Sequence, residues 1–171
     1  FPTALRMLAS RAGVVLQIDE TRSGPKDGPG KDEIFAANEE AAKRFQKELQ
    51  QSPEAAAARE YLTKRALDSA ACQAWGIGYA PDGFGFLADA AGPRTGPKMK
   101  ALEAAGLVAT NERGNLYDRF RGRVMFTIRD ELGRAVGFSG RVLKADDKAG
   151  GKYVNTPETA VFRKSRILFG L

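Results

Sequence analysis

The stretch 117-YDRFRGRVMFTIRDELGRAVGFSGRVL-143 decides how this chain folds. Alternating residues lie on both sides of Glu131-Leu132-Gly133, a pattern that predicts a β-hairpin closed by a glycine-containing turn. Upstream the period is different. From Glu33 to Gln51, Ile34, Asn38, Ala41, Phe45 and Leu49 recur every three or four residues, as on the buried stripe of an amphipathic helix. Ser52 offers an N-cap oxygen and Pro53 suits the first helical position, so PEAAAAREYLTKR predicts a second helix. Asp68 caps a third, SAACQAW, which Gly76 should end, and residues 98–105 form another that stops at Gly106. Helices first and paired strands afterwards predict an α+β fold: N-terminal helices followed by a small, mostly antiparallel sheet.

Outside this body, residues 1–18 carry Phe1, Leu5, Leu8 and Ala12 on one helical stripe, with Gly13 as a stop. Residues 19–32 are crowded with Gly, Pro and charge and predict a flexible linker. Residues 76–97, also rich in Gly and Pro, predict turns around one short helix. Their GIGYAPDG lacks both the Walker Lys-Ser/Thr and the full GxGxxG spacing of a phosphate loop. The chain opens on Phe1 rather than Met, and we expect it to be a piece of a longer protein.

Composition excludes several chemistries. The 171 residues contain no His and one Cys. A Ser-His-Asp triad, a Cys-His dyad, a His/Cys zinc site built from this chain alone and an internal disulfide are therefore all ruled out. Cys72 lies in an alanine-rich helix without a cationic cluster beside it, the setting of a small buried hydrophobe. No apolar run approaches the ~20 residues of a membrane span, and a single Cys fits the reducing cytoplasm, the expected location.

Charge is unevenly distributed. Lys and Arg total 27 against 21 Asp and Glu, and the first 110 residues are balanced, so the whole surplus of +6 lies after them. A basic patch attracts polyanions, although a solvated face has the same composition. Arg119, Arg121 and Arg123 are two residues apart; an extended chain would project all three from one face and turn Phe120, Gly122 and Val124 to the other. Guanidinium forks match phosphate oxygens, which points to a phosphate backbone or triphosphate; the alternative is an exposed charged strand. In GKYVNTPETAVFRKSRILFGL, Lys152 precedes Tyr153, with Asn155, Lys164 and Arg166 beyond. A basic residue beside an aromatic ring suits single-stranded nucleic acid, where the ring stacks on a base. Equally, Tyr153 could face a core and Asn155 could form a turn, while ILFGL has the composition of a buried strand. Asp118 and Asp130 would be far apart on an extended arm, and adjacent Asp146 and Asp147 do not converge on one ion, so no metal site is expected in this chain.

Taken together, YDRFRGRVMFTIRD, GFSGRVL and KYVNTPETAVFRKSRILFGL resemble the bacterial DnaG-type DNA primases, with support from EYLTKRAL, GIGYAPDG and FPTALRMLASRAG in the family's order. The resemblance implies that residues 1–18 link from a preceding zinc-binding domain, that 19–32 are a linker, and that 33–171 are the N-terminal subdomain of the primase polymerase core. The Toprim subdomain, which binds catalytic Mg or Mn ions, and the zinc domain would both lie outside this chain. The implied partners are single-stranded DNA template, RNA primer, ribonucleoside triphosphates and, through a further domain, the replicative helicase, with no membrane. Family positions for DNA contact fall on Arg65, Arg119, Arg121, Lys152, Tyr153 and Lys164, and those for nucleotide on Arg119, Arg121 and Asn155. Arg123, Arg141 and Arg166 are further candidates for the basic face. Ala66 stands where the family usually has Gly, a departure that bears on the turn after Arg65, and Ser139 also replaces a usual Gly. A non-catalytic single-stranded nucleic-acid-binding module of a degenerate primase-like protein is the alternative.

Overall fold

Helix α1 spans Lys31–Gln51, and its predicted stripe of Ile34, Asn38, Ala41, Phe45 and Leu49 is buried throughout. It starts two residues earlier than the sequence pattern suggested, taking Lys31 and Asp32 from the expected linker. The Glu33 carboxylate accepts the Gly30 N–H at 2.7 Å, and Asp32 and Glu33 complement the positive end of the helix dipole. The computed structural model describes residues 28–143 and 151–165. The expected 1–18 helix, most of the linker, Asp146 and Asp147, Arg166 and the ILFGL strand lie outside these residues.

Local chemistry places the next elements where expected. The Ser52 hydroxyl accepts the Glu54 N–H at 3.2 Å and opens a 3-10 turn, Pro53–Ala55, that leads into α2 (Ala56–Thr63). The Asp68 carboxylate accepts the Ala71 N–H at 2.7 Å and starts α3 (Ser69–Ala74). Helix α4 spans Pro97–Ala104. Cys72 is buried; burial, then the Asp68 charge, pushes its thiol up, so it is a packing residue and not a ready nucleophile.

The strands are β1 (Ile77–Ala80), β2 (Val108–Thr110), β3 (Leu116–Asp118), β4 (Arg123–Arg129), β5 (Ala135–Val142) and β6 (Tyr153–Asn155). β1, β4, β5 and β6 form one antiparallel sheet in that order, and β2 pairs with β3 in a separate ribbon. The β4–β5 hairpin is the one predicted around Gly133. β1 is not: it falls in the segment expected to form turns around one short helix, of which the short 3-10 helix Asp89–Ala91 is present. All four residues of β1 are buried, so the strand carries no polar alternation to betray it. Gly78 is required because α1 lies directly on it: a Cβ at that position would come within 2.5 Å of the Phe45 backbone.

The sheet has a core on each side. Phe45 of α1 meets Phe138 edge-on at 5.5 Å in the larger cluster, which also holds Met125, Leu107 and Phe120. Leu62, Ala58 and Cys72 from α2 and α3 cover Ile77, Tyr79 and Val124 in the second. Among the described residues no helix is long and apolar enough to cross a membrane.

Candidate functional site

The pleat of the sheet sorts its side chains. Tyr79, Val124, Arg141 and Tyr153 are successive cross-strand partners on β1, β4, β5 and β6, and therefore share one face. Over β1 and β4 that face is covered by α2 and α3. At its β5–β6 end Tyr153 is 56% exposed and Asn155, paired with Ser139, is exposed as well. The alternative of a core-facing Tyr153 is thus excluded in this fold. Asn155 sits in strand β6 rather than in a turn.

Helix α2 adds to this strip. Its Tyr61 ring carries the Arg65 guanidinium at 4.7 Å from the centroid and that of Arg141 at 4.2 Å. Lys152, exposed, immediately precedes β6. Arg65, Tyr61, Arg141 and Tyr153 thus form a continuous series of cations and rings, with Lys152 and Asn155 adjoining it in sequence. Lys164 is exposed in the segment after β6, where its backbone N–H is donated to the Glu158 carboxylate at 2.9 Å.

The expected row of three arginines does not form. β3 ends at Asp118 and β4 begins at Arg123; between them the chain turns at Gly122 (φ +58°), whose N–H is donated to the Pro81 carbonyl at 3.1 Å. Arg119 donates through Nε to the Gly106 carbonyl at 2.9 Å. Arg121 donates to the Asp118 carbonyl at 2.6 Å, and its guanidinium lies 4.6 Å from the Phe84 centroid and 5.4 Å from that of Tyr117. Arg123 is 2% exposed and donates to the carbonyls of Gly140 (3.2 Å) and Gly151 (3.1 Å). It is therefore not part of an exposed basic face. Instead it ties β5 to the backbone that leads into Lys152 and Tyr153. Burial, then the nearby charge of Arg121, pulls its pKa down.

Three aromatic residues that lie against these arginines were not singled out from the sequence: Tyr61, Phe84 and Tyr117. Tyr61 could have been found from its i,i+4 spacing to Arg65 on a predicted helix. The contact with Arg141 has no local signal. Phe84, 69% exposed, carries none either. Asp118 is buried and accepts the N–H groups of Leu87 (2.7 Å) and Ala88 (3.0 Å), which makes it a loop anchor. Burial is the main reason that its pKa is raised. Among the described residues no group of three or more His, Cys, Asp or Glu is placed to hold a metal ion.

Comparison with known proteins converges on one family. The sequence pattern of the family described as "DNA primase catalytic core, N-terminal domain" matches residues 44–171. The DNA primase of Deinococcus radiodurans is 44% identical over 171 residues, all of this chain and 28% of that protein. The chain thus spans about a quarter of the length of the curated relatives it matches. The RNA polymerase domain of Mycobacterium tuberculosis primase DnaG, solved with a double-stranded DNA oligomer bearing a 6-nucleotide overhang, superposes with a TM-score of 0.76 at 43% identity. That match covers 84% of this chain and 44% of the solved one. A DnaG primase catalytic domain bound to ssDNA gives 0.74 at 40% identity, covering 82% of this chain and 42% of that one.

Proposed function

The chain belongs to the DNA primase catalytic-core N-terminal domain family, and from that premise we propose that it is the template- and nucleotide-gripping part of a bacterial primase. The whole protein makes short RNA primers on single-stranded DNA at the replication fork in the cytoplasm. A primer 3′-hydroxyl attacks the α-phosphate of the incoming ribonucleotide and pyrophosphate leaves. Mg or Mn ions held by the Toprim subdomain supply charge stabilisation for that transfer, and zinc sits in a preceding domain; both lie outside this chain. Through a further domain the protein engages the replicative helicase.

Within this division of labour the chain's own residues bind and orient. Arg65, Arg141, Lys152 and Lys164 neutralise backbone phosphates, Tyr153 stacks on a base, and Asn155 with Arg119 and Arg121 meets the nucleotide. The observation that carries the reading is the half-open strip on β5 and β6. There an exposed Tyr153 sits beside an Arg141 that makes no ion pair among the described residues. An exposed ring next to an unneutralised guanidinium is the surface that a single strand needs.

Fluorescence anisotropy with a single-stranded oligonucleotide at several salt concentrations tests it. Replacing Arg65, Arg141, Lys152 and Lys164 together should flatten the slope of log K against log [salt] by about 0.7 per lost phosphate contact. An unchanged slope in a folded quadruple variant overturns the assignment.

A further inference from the structure

Several arginines have side-chain hydrogen bonds committed within the protein. Arg119, Arg121 and Arg123 donate to carbonyls, and Arg129 and Arg134 to carboxylates. Arg65 and Arg141 differ. Among the described residues neither guanidinium makes a hydrogen bond or ion pair, and Arg141 Nε is buried without a partner. What each of them contacts is the same ring, Tyr61.

The two distances restrict the arrangement. Guanidinium carbons 4.7 and 4.2 Å from one centroid are at most about 9 Å apart, so two like charges from different elements are held as close neighbours. Repulsion alone would separate them, and long side chains with free torsions would let it. The negative π-face of the ring attracts both. The ring itself is held, since Tyr61 is half-buried and packs against the Leu62 and Val124 cluster.

We infer that Tyr61 is a positioning residue: its ring gathers the Arg65 and Arg141 guanidinium groups and leaves their terminal N–H donors uncommitted for nucleic-acid phosphates. This rests on the reading of the strip as a single-strand groove. Tyr61 itself meets no phosphate; its contribution is to have ordered two donors before the strand arrives, so that binding need not.

The test uses the intact protein and a single-stranded oligonucleotide, with thermal melting of each variant as a control. Tyr61→Leu keeps apolar bulk without the π-face and should weaken binding about tenfold, because the strand must then order two rotamer-rich side chains itself. Tyr61→Phe keeps the ring and should bind within about twofold of the wild type. In an Arg65→Gln/Arg141→Gln background, Tyr61→Leu should have no further effect, because the cations it orders are gone. If the double Gln variant binds like the wild type with the same salt slope, the groove reading itself fails. If the double variant is weak but Tyr61→Leu binds normally, the groove stands and the positioning inference is overturned. A measurement on the wild type decides the matter even if Tyr61→Leu does not fold. The Nε–H resonances of Arg65 and Arg141, assigned through the single Gln variants, should be shifted upfield by the ring current, and ordinary shifts for both overturn the inference.

Discussion

Replacing Ala66 with glycine should make this protein more stable. Ala66 has φ +59°, the one residue other than glycine with positive φ among those described. The reason is the end of α2. The Leu67 N–H is donated to the Leu62 carbonyl at 3.1 Å and the Ala66 N–H to the Thr63 carbonyl at 3.0 Å, the paired bonds of a Schellman motif. Leu67 packs back on the cluster containing Leu62, the apolar contact that accompanies such a cap. The cap places Ala66 in the left-handed position, so the turn after Arg65 is kept although the usual glycine is missing. A left-handed conformation costs an alanine about 1–2 kcal/mol. Glycine removes that strain but adds about 0.4–1 kcal/mol of unfolded-state entropy. Ala66 is exposed, so little packing is lost. The net gain is about 0.5–1 kcal/mol, or roughly 1–4 °C in Tm for a domain of this size. Thermal melting by circular dichroism, with urea unfolding to confirm an unchanged m-value, checks it. A Tm equal to or below that of the wild type would refute the assignment of strain to this residue.

Two further perturbations probe the scaffold under the strip. Arg123→Met keeps the length and apolar stem of the side chain but removes its hydrogen bonds to the Gly140 and Gly151 carbonyls; we expect a loss of about 1–3 kcal/mol in urea unfolding, together with weaker oligonucleotide binding because the entry to β6 loosens. Asp130→Asn tests the hairpin turn, where the carboxylate accepts the N–H groups of Leu132 (3.0 Å) and Arg134 (2.9 Å) and the Arg134 guanidinium (2.7 Å). Burial works to raise the Asp130 pKa, but the hydrogen bonds and charge of Arg134, with the Leu132 N–H, outweigh it and hold it below the ordinary value. A depressed folded pKa contributes stability that is present above the unfolded pKa, near 3.8, and lost as pH falls through the folded value. Asp130→Asn should therefore cost about 1 kcal/mol at neutral pH, after allowing for solvent around Arg134, and the difference from wild type should shrink in acid. A gap that stays constant from pH 7 down to strongly acidic pH would contradict this account.

The elements that local chemistry dictates were legible in the chain. The stripe from Ile34 to Leu49, the caps at Ser52 and Asp68, and the hairpin around Gly133 all depend on neighbours within a few residues, and each formed as its pattern implied. β1 was hidden because it is covered on both faces, so alternation, the usual mark of a strand, is absent. The arginine row failed for a related reason. Its two-residue spacing has meaning only on a continuous strand, and whether residues 119–122 are extended depends on the hydrogen bond from Gly122 to Pro81, about forty positions away.

By itself, then, the sequence determined the order of helices and strands, the concentration of positive charge after residue 110, and the motifs that place the chain in its family. Those depend on composition and local spacing. Tertiary structure decided which cations are committed and which are open. Arg123 and Arg141 are both basic residues on neighbouring strands, with nothing local to tell them apart. Packing buries one among backbone carbonyls and lays the other on the ring of Tyr61, about eighty residues away in the chain. The burial of a charge is set by what the rest of the chain brings to it, and that appears only when the sheet and helices have closed around it.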